Sequence, residues 1–256
     1  MNNMFKRAIV RKPCKNFQFG ISTSNLGKPD YQRALLEHSQ YIEALLKCNL
    51  SVTELTENES FPDSTFVEDT AIVDKEFAVI SNLGAKSRKG EEIEIRDKLK
   101  TFYDNIESIK IPGTLEGGDV MKVEEHYYIG LSNRTNNEGA NQLKKILKRY
   151  GYSSSTVPLK KVLHLKTGIS YLGDSILLVS GEFKNHVDFK EYNLIEVQES
   201  EAYATNSLRI NEYVLIPKGY PDLKNQIQNY NFDILELDMS EFEKINGGLS
   251  CLSLRF

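Results

Sequence analysis

One order of elements recurs five times in this chain, and that recurrence restricts the fold more than any other feature. An apolar strand, a polar turn, an amphipathic stretch and a second apolar strand follow one another each time. FKRAIVR leads through a loop to KPDYQRALLEHSQYIEALLKC and LSVTEL, and FAVISNLG to EEIEIRDKLKTFYD and SIKIPG. YYIGLSN leads to EGANQLKKILKRYG and STVPL, ILLVSGEF to a less regular VDFKEYN and LIEVQ, and YVLIPKG to DLKNQIQNYN and DILELD. In the first amphipathic piece Leu35, His38, Ile42, Leu45 and Leu46 share a helical face, and Pro29 is placed in the first turn, where proline is tolerated.

After each closing strand a short stretch runs into the next one: FVEDTAIV, LEGGDVMKV, VLHLKTGIS, YATNSLRIN and GGLSCLSLRF. With Glu68, Glu116, His164, Asn206 and Cys251 as markers, the separations are 48, 48, 42 and 45 residues by subtraction of residue numbers. A near-constant period with one chemically capable residue per unit predicts a radial array whose units present equivalent loops around one axis. No linker or low-complexity segment interrupts it, so residues 1–256 are expected to form one domain.

Composition removes several functional classes. Apolar residues make up 40% of the chain, enough for a core, yet no run approaches the ~18 apolar residues of a membrane span. MNNMFKRAIVRKPCKNF lacks the apolar stretch and cleavage site of a signal peptide. Three cysteines, Cys14, Cys48 and Cys251, suggest neither a disulfide framework nor a zinc site. A reducing cytoplasm is the expected compartment. A net charge of −4 and a pI near 5.7, with both signs dispersed, argue against a nucleic-acid partner and fit a small-molecule one.

Gathered around one cavity, Cys251, His164, Glu116, Glu68 and Asp69 define a distinctive chemistry. Cysteine attacks as thiolate, and its ordinary pKa is about 8.5. Carboxylates raise that value further, a poor arrangement for a protease or esterase. They suit a cationic substrate: a guanidinium held by Asp69 and a second carboxylate offsets their charge, favours thiolate and sets its central carbon beside sulfur. His164 supplies general acid and base. Each residue also has a plain structural reading: Cys251 as a small buried hydrophobe, His164 as a core histidine, Glu68 and Asp69 as turn residues. Glu116-Gly117-Gly118-Asp119 reads as a tight turn whose glycines supply positive φ. Their shared phase in the repeat favours the site. Cys14, Cys48, His38, His126 and His186 lie outside that phase and receive no role.

FPDSTFVEDTAIV, LEGGDVM, GLSNRTNNEGA, VLHLKTG, KINGGLSCLSLRF and the early SNLGKPDY resemble, in order and spacing, the signature stretches of bacterial dimethylarginine dimethylaminohydrolases. The resemblance spans the chain from FKRAIVR to the last residue. It implies the pentein fold, an α/β-propeller with five-fold pseudo-symmetry built of strand-strand-helix-strand units. It also implies that Cys251 attacks the guanidinium carbon of an Nω-methylated arginine, that His164 handles the protons, and that Glu116 supports the histidine. By the same resemblance Asp69 grips the guanidinium and Glu68 shapes the pocket. Arg88 and Arg134 meet the α-carboxylate and Asp63 the α-ammonium. Ile21 belongs to a mobile lid in FGISTSN, and the backbone near Ile245 lines the pocket. No metal or cofactor is implied, and a homodimer stays open.

The nearest alternative is arginine deiminase, typically longer, which carries an aspartate two residues after its histidine; that position here is Lys166. Other guanidine hydrolases of the superfamily, a non-catalytic methylarginine-binding module and, more remotely, a cysteine protease are the remaining readings.

Overall fold

Closure of the chain on itself organises the architecture. In the computed structural model, which describes residues 5–256, the C-terminal strand pairs with the N-terminal one. The first strand, β1 (Arg7–Arg11), is followed by helix α1 (Tyr31–Lys47) and β2 (Ser51–Leu55). Next come β3 (Ala71–Val73), β4 (Ala78–Ile80), α2 (Glu92–Leu99) and β5 (Ile106–Ser108), then β6 (Val120–Val123), β7 (His126–Leu131), α3 (Asn137–Arg149) and β8 (Ser153–Pro158). The short helix α4 (Leu165–Gly168) precedes β9 (Ile169–Gly173), β10 (Ile176–Val179) and β11 (Asn193–Glu196). Then follow β12 (Leu208–Ile210), β13 (Tyr213–Pro217), α5 (Pro221–Gln228), β14 (Asp233–Leu237), the short α6 (Ser240–Glu243) and β15 (Leu254–Arg255).

These strands make five three-stranded sheets: β3-β4-β5, β6-β7-β8, β9-β10-β11, β12-β13-β14 and β15-β1-β2. In each, the central strand pairs antiparallel with the strand that follows a marker turn and parallel with the strand beyond the crossover. This is the expected five-bladed propeller with one blade divided between the chain ends. Ala8 faces Arg255 and Ile9 faces Leu254, while the Phe256 carbonyl accepts from the Lys6 and Arg7 amides. Residues 1–4, the MNNM of the N-terminal stretch expected to lack a signal peptide, lie outside the described residues.

Central strands read as continuous apolar runs, RAIVR, AVI and ILLV, because both of their faces are covered. The outer parallel strands β2 and β14 are half exposed. The core accordingly divides into packets between blade and helix, such as Ala34, Tyr41 and Leu45 of α1 against Val10 and Leu215. Each such large apolar side chain contributes about 1.5–3 kcal/mol by leaving water.

Three local expectations are revised. Leu46 is 53% exposed, and the buried face of α1 is Ala34, Glu37, His38, Tyr41, Ala44 and Leu45. Successive helix positions rotate by about 100°, so Leu45 at the centre of the face turns Leu46 away. Pro29 precedes the helix: Asp30 is its N-cap and accepts from the Arg33 amide at 2.9 Å. The fourth crossover holds only 3-10 turns, Gly181–Phe183 and Val187–Phe189, consistent with its irregular apolar spacing.

Asn211, at φ 54° in the turn between β12 and β13, fastens the N-terminal segment. Its Oδ1 accepts from the Phe5 amide at 2.8 Å, and its Nδ2 donates to the carbonyls of Phe5 (3.1 Å) and Cys48 (2.8 Å). Asn211→Ala is expected to cost about 1–3 kcal/mol by leaving those groups unpaired, read as a lower denaturant midpoint at unchanged m-value.

Candidate active site

Each blade is entered through one tight turn, and the five turns meet at the axis. Val67–Thr70 carries Glu68 and Asp69, Glu116 precedes Gly117–Asp119, and His164 caps α4. Asn206 ends the turn Glu199–Thr205, and Cys251 is inside Ser250–Leu252. The turn of Cys251 touches that of Asp69, which touches that of Glu116, then that of His164, then that of Asn206. The C-terminal position of the cysteine follows: its turn enters the blade that β1 began.

Close approach, not unusual dihedrals, explains the glycines. Gly117 and Gly118 are not among the residues with positive φ, which corrects the expected turn. A Cβ on Gly117 would sit 1.9 Å from the Glu68 carbonyl oxygen, and one on Gly118 2.7 Å from His164 Nδ1. Gly247 and Gly248 would collide likewise with Phe66 and Asn206. These positions let the turns pack against one another.

His164 Nε2 lies 2.8 Å from Glu116 Oε2 and 4.0 Å from Asp69 Oδ1. Glu116, fully buried, also accepts from the Ala85 amide through Oε1 at 3.0 Å. Burial alone would discharge the imidazole, but the carboxylates of Asp69, Asp119 and Glu116 outweigh it and raise its pKa to about 9. Glu116 moves the opposite way: burial pushes it up, and the His164 bond with the positive charges of His164 and Arg88 brings it down. The two therefore form a buried imidazolium–carboxylate pair at neutral pH.

Cys251 is half-buried, and its Sγ accepts from the Gly248 amide at 3.5 Å. Burial, then Glu68 and Asp69, push the thiol up to about 12 against the smaller pull of that amide and of Lys166. Asp69 thus acts on both groups, helping to charge the histidine and, after burial and Glu68, to discharge the cysteine.

One cavity brings together Ile21, Asp63, Asp69, Arg88, Glu116, Arg134, His164, Ile245 and Cys251, with Phe66, Leu163, Asn246 and Gly247 completing its wall. Nine of the ten site residues expected from the sequence therefore converge. The tenth, Glu68, does not line it: its carboxylate accepts from Lys166 Nζ (2.6 Å), Arg255 (3.0 Å) and Ser250 Oγ (2.7 Å). Arg88 lines the cavity with most of its donors engaged, by Asp69 (2.5 Å), both Glu91 oxygens and the Phe66 carbonyl. Among the described residues Arg134 has one ion pair, 3.6 Å to Glu116, and is the less committed arginine.

Asp63 accepts from the Ile21 amide at 3.0 and 3.2 Å, tying the segment after Lys15–Phe19 over the mouth. Ser22 donates to the Lys244 carbonyl and the Thr23 amide to Asn246 Oδ1, both at 2.8 Å. Beneath this cover the cavity leaves about 30 Å³ for the centres of water molecules.

Leu163 and Asn246 in the cavity wall, and Asp119 behind it, complete the surroundings without having been singled out for them. Asp119 accepts from the Leu165 amide at 3.0 Å and so holds the turn that presents His164; its place in GGD was the available signal. Among the described residues one group has metal-ligand spacing, Asp69, Glu116 and His164. Its ligand atoms are engaged with one another, Arg88 and the Gly118 amide.

A five-bladed α/β-propeller enclosing a thiol, an imidazolium and buried carboxylates defines the class of guanidine-modifying enzymes. The family model described as N,N dimethylarginine dimethylhydrolase, eukaryotic, matches residues 16–253, and the chain belongs to the dimethylarginine dimethylaminohydrolase family. It is 47% identical over 254 residues to the N(G),N(G)-dimethylarginine dimethylaminohydrolase of Pseudomonas aeruginosa, covering 99% of this chain and 100% of that one. A crystal structure of the Pseudomonas aeruginosa enzyme, a cysteine-to-serine variant with citrulline, superposes with a TM-score of 0.98 at 46% identity, over 99% and 100% of the two chains. The N-terminal domain of the cyanobacterial arginine dihydrolase ArgZ shares the fold, with a TM-score of 0.88 at 20% identity over 99% and 97% of the chains.

The raised pKa of His164 has a thermodynamic sign. A group bound more tightly to its proton when folded adds stability that is complete below its unfolded value, about 6.5, and lost as pH rises. The wild type is expected to lose stability between about 6.5 and about 9 by this route, and His164→Gln to lack that slope. Denaturant midpoints of both proteins across that range check it, and a parallel slope in the variant contradicts it.

Proposed function

We propose that this chain hydrolyses asymmetric dimethylarginine and monomethylarginine to L-citrulline, releasing dimethylamine or methylamine, through a covalent intermediate on Cys251. One observation carries the reading: a single cavity brings the Cys251 thiol and the His164–Glu116 pair together with the Asp69 carboxylate, which suits a guanidinium cation. Relatives that carry the family name, one of them crystallised with citrulline, support the reaction.

The guanidinium docks against Asp69, and its charge lowers the thiol pKa so that the thiol proton passes to solvent and sulfur attacks the central carbon. A C–S bond forms and the carbon becomes tetrahedral. His164, an imidazolium at neutral pH, gives its proton to the departing amine as the C–N bond breaks. The product is a thiouronium on Cys251 and a neutral imidazole. That imidazole takes a proton from water and hydroxide adds to the carbon; the C–S bond then breaks as the carbon-bound hydroxyl gives its proton to the departing sulfur, leaving citrulline, the thiol and a reprotonated His164. Glu116 keeps the ring oriented throughout and supports its positive charge.

At the amino-acid end, Arg134 meets the α-carboxylate, with Arg88 lending charge from behind its own carboxylates. Asp63 has both oxygens turned to the Ile21 amide, and the α-ammonium joins that cluster on closure. Lys166 occupies the position of a second carboxylate clamp and directs its ammonium to Glu68, so that space beside Asp69 is left for an N-methyl group. In this reading residues 1–256 act as one catalytic domain needing no cofactor. Its compartment is the reducing cytoplasm, since Cys251 works as a free thiol; no described helix is long and apolar enough to cross a membrane.

Supplied separately with asymmetric dimethylarginine, monomethylarginine and arginine, the protein is expected to release citrulline from the methylated substrates far faster. Cys251→Ser is expected to fall below about 10⁻³ of wild-type turnover while still binding substrate. Faster turnover of arginine moves the assignment to a deiminase; binding without amine release identifies a binding module.

A further inference from the structure

Four of the five marker turns supply the chemistry or its immediate surroundings; the fourth turn, with Asn206, has so far none. Its side chain is 7% exposed and lies between the two turns that must stay in register, those of His164 and Cys251. Both donors of the amide and one acceptor position of its oxygen are used. Nδ2 donates to the Lys166 carbonyl (2.8 Å), two residues beyond His164, and to Ser250 Oγ (3.0 Å), one residue before Cys251. Oδ1 accepts from the Ser250 amide at 2.9 Å.

These bonds belong to a closed circuit. Ser250 Oγ passes its own proton to Glu68 Oε2 at 2.7 Å, and Glu68 Oε1 accepts from Lys166 Nζ at 2.6 Å, returning to the residue where Asn206 began. A Cβ on Gly248 would stand 2.5 Å from Asn206 Oδ1, so the amide is also packed directly against the loop ahead of the nucleophile. Only a planar group with two donors and one acceptor meets this set, and a buried circuit of this kind defines one geometry.

Resting on the functional reading above, we propose that Asn206 is a positioning residue for the reaction: it sets the spacing between the His164 turn and the Cys251 turn, and so the alignment of proton donor and nucleophile. It touches neither substrate nor the reacting atoms. Misalignment of about 1 Å between reacting groups costs on the order of 10²-fold in rate. The loss therefore falls on kcat, while KM, governed by Asp63, Arg134 and Asp69 in front of the circuit, changes little.

The test measures kcat, KM and thermal midpoint with asymmetric dimethylarginine for wild type, Asn206→Ala, Asn206→Asp and Asn211→Ala. Asn206→Asp keeps the shape and replaces the two donors by an acceptor. Both Asn206 variants are expected to lose about 10²-fold in kcat, with KM within about threefold of wild type. Asn211→Ala, which breaks a part-buried amide with as many hydrogen bonds outside the five marker turns, is expected to lose stability and keep kcat. Folded Asn206 variants with wild-type kcat overturn the proposal, as does a loss carried by KM, or failure of both variants to fold. Absence of citrulline from the wild type refutes the functional reading instead, so the two failures are distinguishable.

Discussion

The site depends on an electrostatic imbalance held in a small buried space. Asp69 and Glu116 lie beside His164, and the charge they bring raises the imidazole to about 9 while Glu68 and Asp69 help raise the Cys251 thiol to about 12. Asp69 is common to both shifts and has two opposed effects: it helps ready the proton donor and, beside burial and Glu68, silence the nucleophile. Arg88 does not cancel it, because its guanidinium is shared among Asp69, Glu91 and backbone carbonyls. A cation arriving from outside resolves the imbalance, and the closed segment over the mouth strengthens that interaction by excluding water. Reactivity is thereby confined to the moment a guanidinium is present, which protects the thiol otherwise.

The propeller makes this arrangement possible by geometry that is local within each blade. Every turn at the axis precedes an antiparallel strand, and every such strand is pinned by its central neighbour. Residues 48 or so apart in sequence are therefore delivered to the same point. The division of one blade between the chain ends couples folding to function: Cys251 is in place only when β15 has paired with β1.

Much of this was legible in the sequence, for a physical reason. Strand order and period are local patterns repeated five times, so errors in single elements did not alter the architecture. Convergence of Asp69, Glu116, His164 and Cys251 followed from their common phase. What stayed hidden depends on partners distant in sequence. Nothing near Glu68 announces that Lys166 and Arg255 draw its carboxylate out of the cavity. Nothing near Arg88 shows that Asp69 occupies one of its donors. The double glycines were legible as signals but not in their meaning, since crowding by another turn leaves no local trace.

The central claim is that the free site holds its thiol neutral and a guanidinium cation ionises it. Ultraviolet thiolate absorbance of Cys251, followed against pH with and without a non-reactive guanidinium ligand and with Cys251→Ser as the blank, measures this directly. The account predicts a thiol titrating well above the ordinary value of about 8.5 in the free protein and moving down once the cation is bound. A thiolate already formed at neutral pH in the empty site, unmoved by the ligand, would contradict it.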